Sequence, residues 1–245
     1  MSNIRSALLL VDVQNDFLPP NGSLAVPSGS SIVPVLHRLL DLEFNLVIAS
    51  QDYHPQGHVS FFTSHPIGKN FDVIKVKDPV TGTEKDQELW PEHCVQGTNG
   101  AEFEKTLAAR LEGLVKEGRG KVVRKGQDRE LDAYSAFSKP LKSLQTEKDQ
   151  GKESEFPLTT MLREAKIERL VVVGLATDFC VRATVLSALA ESAKQLEAER
   201  WKVYVVKEGV KGVYAEREEK VLRELEEAGA LVISIESQEL DWLKK

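Results

Sequence analysis

The chain has 245 residues and a mass of 27.3 kDa, with 41% hydrophobic and 29% charged residues. That size and composition fit one globular domain spanning 1–245 and exclude collagen-like, disulfide-scaffold and wholly disordered classes. Lys and Arg number 32 against 38 Asp and Glu, for a net charge of −6 and a pI near 5.5, so neither nucleic acid nor an anionic membrane is the expected partner and a small molecule is.

Two cysteines cannot build a disulfide framework; they point to a reducing compartment, the cytoplasm by default, or to a catalytic thiol. The apolar run Ala7 to Val11 is cut by Asp12 and is too short for a signal-peptide core, and no run nears the ~20 apolar residues of a membrane span.

Short β-branched runs alternate with stretches whose apolar residues recur at helical spacing. In chain order the pattern predicts a strand at Ala7–Val13, an Asn-Gly turn at Asn21-Gly22, a helix over Ser31–Leu42 and a strand at Leu46–Ala49. A helix over Ala101–Val115, a strand at Lys121–Arg124, a helix over Thr159–Lys166 and a strand at Leu170–Gly174 follow. The last elements are a helix over Cys180–Glu197, a strand at Lys202–Val206, a helix over Tyr214–Ala228 and a strand at Leu231–Ile235. This βαβ rhythm predicts an α/β fold: a doubly wound, mostly parallel six-stranded sheet with helices on both faces. Pro66–Gln87 and Ser138–Phe156 break the rhythm, and the second, rich in charge and poor in large apolar residues, reads as an exposed insertion over 138–156. No GxGxxG fingerprint or Walker A loop occurs, so nothing supports dinucleotide or nucleoside-triphosphate binding.

In such sheets ligands bind beyond the carboxyl ends of the strands, and polar residues collect there: Asp12, Gln51 to His54, Lys125 and Ala176 to Cys180. Cys180 falls in the first turn of a helix capped by Thr177 or Asp178, where free N–H groups and the helix dipole favour a thiolate and can receive an oxyanion. The alternative is a buried, inert thiol. Asp12 ends an apolar strand and needs a partner; Lys125 can supply one, either as a structural ion pair or as part of a nucleophile-plus-base arrangement. Asp52 and His54, two apart, share one face of an extended segment, and His93 can complete a three-ligand metal site, although a D-x-H pair also arises by chance. His58 could add a ligand or support one, His37 and His65 read as surface residues, and Cys94 reads as structural. Phe17 and Trp90, close in sequence to Asp12 and His93, could hold a flat aromatic substrate or belong to the core.

Taken together, several segments resemble the nicotinamidases of the isochorismatase-like cysteine hydrolases. They are Asp12-Val13-Gln14-Asn15-Asp16-Phe17, Gly22 to Pro27, Asp52-Tyr53-His54-Pro55 with His58 to Phe61, Trp90 to Thr98, Lys125-Gly126, Tyr134 to Phe137 and Ala176 to Val181. The resemblance implies hydrolysis of nicotinamide to nicotinate and ammonia in NAD salvage, with Cys180 as nucleophile, Asp12 as general base and Lys125 as third catalytic member. It further implies a divalent metal, commonly zinc, on Asp52, His54 and His93. A non-proline cis peptide between Leu175 and Ala176 and an oxyanion hole of the Ala176 and Cys180 amides are implied as well, with Phe17, Trp90, Tyr134, Leu175 and Ala176 around the substrate. Tyr53 stands where the family often has tryptophan, and the 138–156 insertion resembles the longer eukaryotic forms. The alternatives are another cysteine amidase of the superfamily acting on a different small amide or ureido compound, an isochorismatase proper, or a catalytically silent binding protein. The sequence is compatible with a homo-oligomer and does not specify one.

Overall fold

Ser6–Val11 is buried at every position, as a strand needs to be when helices cover both faces of its sheet. A computed structural model describes residues 4–139, 141 and 157–243. Its elements run β1 (Ser6–Val11), α1 (Val33–Leu40), β2 (Leu46–Asp52), β3 (Val73–Lys77), β4 (Glu84–Glu88), α2 (Lys105–Lys116) and β5 (Gly120–Lys125). Then follow α3 (Pro157–Glu164), β6 (Arg169–Leu175), α4 (Arg182–Lys194), β7 (Lys202–Lys211), α5 (Glu218–Glu227) and β8 (Leu231–Ile233).

Six strands form one parallel sheet in the order β5-β2-β1-β6-β7-β8, with Ala7 opposite Leu46 on one side and Leu170 on the other. Strand periodicity splits the core in two. Leu8, Leu10, Val171 and Val173 face α1 and α2 through Leu36 and Leu107, whereas Leu9, Val11 and Val172 face α3, α4 and α5 through Leu162, Val185 and Leu225. Each such side chain contributes about 1.5–3 kcal/mol by leaving water. The doubly wound α/β expectation is met, and the chain order reverses between β1 and β6, which opens a crevice at their carboxyl ends.

Several boundaries differ from the sequence reading. The first strand stops at Val11 because Asp12 takes φ +47°, a left-handed conformation that turns the chain out of the sheet. The helix expected from Cys180 opens as a π turn over Thr177–Val181 before α4. Lys105 opens α2 later than expected because the Glu104 carboxylate caps it, accepting from the Thr106 and Leu107 N–H groups. Within Pro66–Gln87, where no element was expected, β3 and β4 pair as an antiparallel hairpin. Lys75 meets Asp86 at 2.6 Å and Lys77 lies opposite Glu84, so cross-strand charge supports a hairpin in which β4 has no apolar residue. Of the Ser138–Phe156 stretch, all but residues 138, 139 and 141 lie outside the described residues.

Candidate active site

Four strand ends converge on one buried ammonium. Lys125, the last residue of β5, places Nζ 2.7 Å from Asp52 Oδ1 at the end of β2, 2.9 Å from Asp12 Oδ2 just past β1 and 3.4 Å from Cys180 Sγ in the turn after β6. It also donates to the Ala133 carbonyl at 3.1 Å. Relative exposures of 0% for Asp12, 2% for Lys125, 4% for Asp52 and 6% for Cys180 mean that no partner is shared with bulk water.

Two carboxylates around one lysine set the local electrostatics. Burial alone would strip Lys125 of its proton, but Asp12 and Asp52 outweigh it and hold the ammonium well above the ordinary lysine range. For Asp12 the balance falls the other way: burial pushes its carboxyl up, against the pull of Lys125 and of Ser50, whose hydroxyl donates to Oδ1 at 2.6 Å. Its Oδ2 is paired with the Lys125 ammonium at 2.9 Å. Cys180 Sγ lies within 4.8 Å of both carboxylates. Burial raises the Cys180 thiol well above the usual value although Lys125 opposes it, so the resting group is the thiol and a base must take its proton.

Asp52 also belongs to a second group. One ligand atom each from Asp52, His54 and His93 lies within 4.8 Å of the others, all three residues buried. Nδ1 of His54 donates to the Gly126 carbonyl at 2.8 Å and Nδ1 of His93 donates to the Pro91 carbonyl at 2.7 Å. Since a carbonyl only accepts, both rings carry their proton on Nδ1 and keep the Nε2 lone pair free for a cation. Gly126, at φ +63°, is required here, because a Cβ would sit 2.3 Å from the His54 ring. Burial, followed by the proximity of His54, lowers His93 to about 4, so it is neutral and able to ligate. Burial would lower His54 too, but Asp52, whose Oδ2 is 3.6 Å from Nε2, overcomes it and makes the space between them one for positive charge. The residues therefore fit a divalent metal ion.

The expected residues are largely brought together. Phe17, Trp90, Tyr134, Ala176, Phe179 and Cys180 line a cavity that Asp52 and His93 also border. Trp90 is held by its Nε1–H, which donates to the Tyr134 hydroxyl at 3.1 Å, and by an edge contact with Phe179 at 4.9 Å. Leu175, also expected around the substrate, is buried in the core that holds Val171 and Val173 and is not among the residues lining this cavity. The Leu175-Ala176 peptide is cis. Neither expected cap acts as one, since Asp178 instead accepts from the Val213 and Tyr214 N–H groups at 2.9 and 3.0 Å, and the Thr177 hydroxyl is buried without a partner among the described residues.

His58 does not offer a lone pair to a metal. Its Nδ1 accepts from Ser60, its Nε2 donates to the Leu131 carbonyl at 3.2 Å, and its ring stacks on His54 at 4.0 Å. His37 and His65 are partly exposed, bonded to Thr106 and to the Val59 carbonyl, and join neither group. Sequence reasoning missed Phe179, Leu24, Val26 and Val213 in the cavity wall, since nothing local separates them from core residues. It also missed Gln14, whose buried amide donates to the Asp52 and Ala101 carbonyls and accepts from Asp52 N–H, each at 2.8 Å.

A parallel doubly wound sheet carries a buried thiol, carboxylate and lysine together at its switch point. The isochorismatase domain matches residues 6–237, and the chain belongs to that family. Within it the chain is similar to the nicotinamidase of Escherichia coli (strain K12), at 36% identity over 244 residues that cover 96% of each protein. Among solved structures it is similar to an Acinetobacter baumanii nicotinamidase pyrazinamidease, with 32% identity, a TM-score of 0.74 and coverage of 96% of this chain and 98% of that one. The pyrazinamidase of Pyrococcus horikoshii in complex with zinc matches at 28% identity and a TM-score of 0.64, covering 94% of this chain and 99% of that one.

Proposed function

We propose that this chain hydrolyses nicotinamide to nicotinate and ammonia through a thioester on Cys180, as a step of NAD salvage. The observation that carries the reading is the placement of a buried thiol 3.4 Å from Lys125 and within 4.8 Å of Asp12, beside a three-ligand metal cradle in one aromatic-walled cavity. The nicotinamidase relatives named above support the substrate.

Asp12 takes the Cys180 proton as Sγ attacks the carboxamide carbon; the raised carboxyl value of Asp12 makes it a stronger base than an exposed aspartate. Lys125 stabilises the negative charge as it moves from carboxylate to sulfur, and the backbone amides of Ala176 and Cys180 receive the oxyanion. Asp12 returns the proton to the leaving nitrogen, the C–N bond breaks and ammonia departs, leaving the acyl group on sulfur. Water, deprotonated by the same carboxylate, attacks the thioester carbon; the C–S bond breaks, the proton on Asp12 returns to Sγ, and nicotinic acid leaves and gives its carboxyl proton to solvent as nicotinate. Phe17 and Trp90 flank the ring. Asp52, His54 and His93 would hold zinc, which supplies when bound a ligand position for the pyridine nitrogen. The two cysteines, both free, go with a cytoplasmic protein, and among the described residues no helix is long and apolar enough to cross a membrane.

Ammonia release from nicotinamide, compared with benzamide and with small aliphatic amides and ureido compounds, tests the reading. Nicotinamide is expected to give the highest kcat/KM; preference for a ureido or aliphatic substrate would overturn it in favour of another amidase of the family.

A further inference from the structure

We infer that Asp16 is a positioning residue for the metal cradle, holding the backbone that carries His93 and His54; the inference rests on the metal reading of Asp52, His54 and His93. Its carboxylate is oddly spent for a half-buried acid. Oδ2 accepts the Cys94 N–H at 2.7 Å, Oδ1 accepts the Ser23 N–H at 3.4 Å, and no ion pair balances the charge among the described residues. A charged acceptor makes the 2.7 Å bond to a backbone amide stronger than a neutral one would be.

The amide that it holds is the one next to a ligand. Cys94 follows His93 directly and takes φ +48°, a left-handed conformation that a residue with a side chain adopts only where its surroundings enforce it. The Cys94 carbonyl in turn receives the His54 N–H at 3.0 Å, and the His54 carbonyl accepts from Gln96 N–H at 2.9 Å. One residue thus links two ligands, covalently to His93 and by a hydrogen bond to His54, and Asp16 pins it. Space is reserved for this contact, because a Cβ on Gly100 would fall 2.0 Å from Asp16 Oδ2. Two residues earlier, Gln14 clamps the backbone of the third ligand, Asp52, so the segment after Asp12 fixes all three ligands from one side.

The test uses the zinc-loaded full-length protein, excess chelator and a dye that reports released zinc. Asp16→Ala is expected to lose zinc about ten- to a hundredfold faster than the parent, the usual effect of removing a group that orients a ligand. Asp16→Asn, which keeps an acceptor oxygen at the same reach, is expected to restore most of the retention. In turnover, Asp16→Ala should raise KM for nicotinamide more than for benzamide and leave kcat nearly unchanged, a split that general loosening of the fold would not give. Should the alanine variant fail to fold, Asp16→Ser, whose hydroxyl is too short to reach Cys94, is read in its place with the same expectation. A parent that never retains zinc overturns the metal reading and this inference with it. Retention by both Asp16→Ala and Asp16→Ser equal to the parent's, or loss in Asp16→Asn as fast as in Asp16→Ala, overturns the inference alone.

Discussion

The cluster around Lys125 and the cradle around His54 are equally buried and share Asp52, yet they differ in what is left unspent. In the first, Lys125 has four partners, and Asp12 is bonded to Ser50 and paired with the lysine, so the charges are compensated within the protein. In the second, His54 and His93 each spend Nδ1 on a backbone carbonyl and keep Nε2 free beside an ionised Asp52, which is compensation that calls for a cation from outside. A cluster complete in itself suits proton and acyl transfer; a cradle that lacks a charge suits holding something. In the proposed reading this difference gives chemistry to one half and binding to the other.

The largest effect should come from breaking the chemical half at its nucleophile. Cys180→Ala is expected to lower ammonia release by about four orders of magnitude or more. Cys94→Ala should keep most activity, because the Cys94 thiol is buried against the Gly100 carbonyl at 3.9 Å and burial pushes it well above the usual thiol range. Comparable losses in both variants would contradict the assignment. Within the same half, Asp12→Asn and Lys125→Ala should each slow acylation by about 10²–10⁴-fold. The double variant should lose far less than the product of the two, since each leaves the other without its function. Single-turnover rates of the four proteins decide this, and strict additivity would mean that the two residues act independently.

The same cluster predicts a pH profile. Asp12 must be ionised to act, and burial places its carboxyl above the ordinary value of 3.8, so kcat/KM should fall as pH falls through that raised value and not through the usual carboxylate range. Lys125 pulls the Asp12 carboxyl down, so in a Lys125→Met variant the acid limb of the residual activity should move to higher pH. A limb that stays in place would remove Asp12 from the assignment.

Breaking the binding half should cost less and cost it selectively. Metal removal, or His54→Ala, is expected to raise KM for nicotinamide about tenfold or more, the size expected for one lost buried polar contact. Benzamide, with the same ring and carboxamide but no ring nitrogen, should be affected less. Equal losses in kcat/KM for the two substrates would place the ion on the carboxamide or the fold and erase the division of labour.

Much of this was legible in the sequence, for physical reasons. Asp12, Gln51 to His54, Lys125 and Ala176 to Cys180 stand at or just beyond the ends of short apolar runs, and in a parallel sheet strand ends share one edge, so residues far apart in the chain can be placed together. Period-two spacing put Asp52 and His54 on one face, and the structure keeps their ligand atoms together. The β3–β4 hairpin was hard to read because β3 shows only the short alternation Ile74-Lys75-Val76-Lys77 and its partner β4 has no apolar residue, the two strands pairing through charges such as Lys75 and Asp86. Asp16 and Gln14 were quoted as parts of a motif, but what they hold, Cys94 and Asp52, lies 78 and 38 residues away, and no local pattern encodes those pairings. Where the Leu175 side chain sits was not legible, because a strand's last side chain can face either core or cavity and only the sheet's packing decides.

The most direct test of the central claim is to mix enzyme with nicotinamide, quench in acid within the first turnover and measure the intact mass of the protein. The account predicts a transient increase equal to one nicotinoyl group replacing one proton, mapped to the peptide that contains Cys180 and absent from Cys180→Ala. Release of nicotinate with no acylated protein at any quench time, or acylation on a residue other than Cys180, would contradict it.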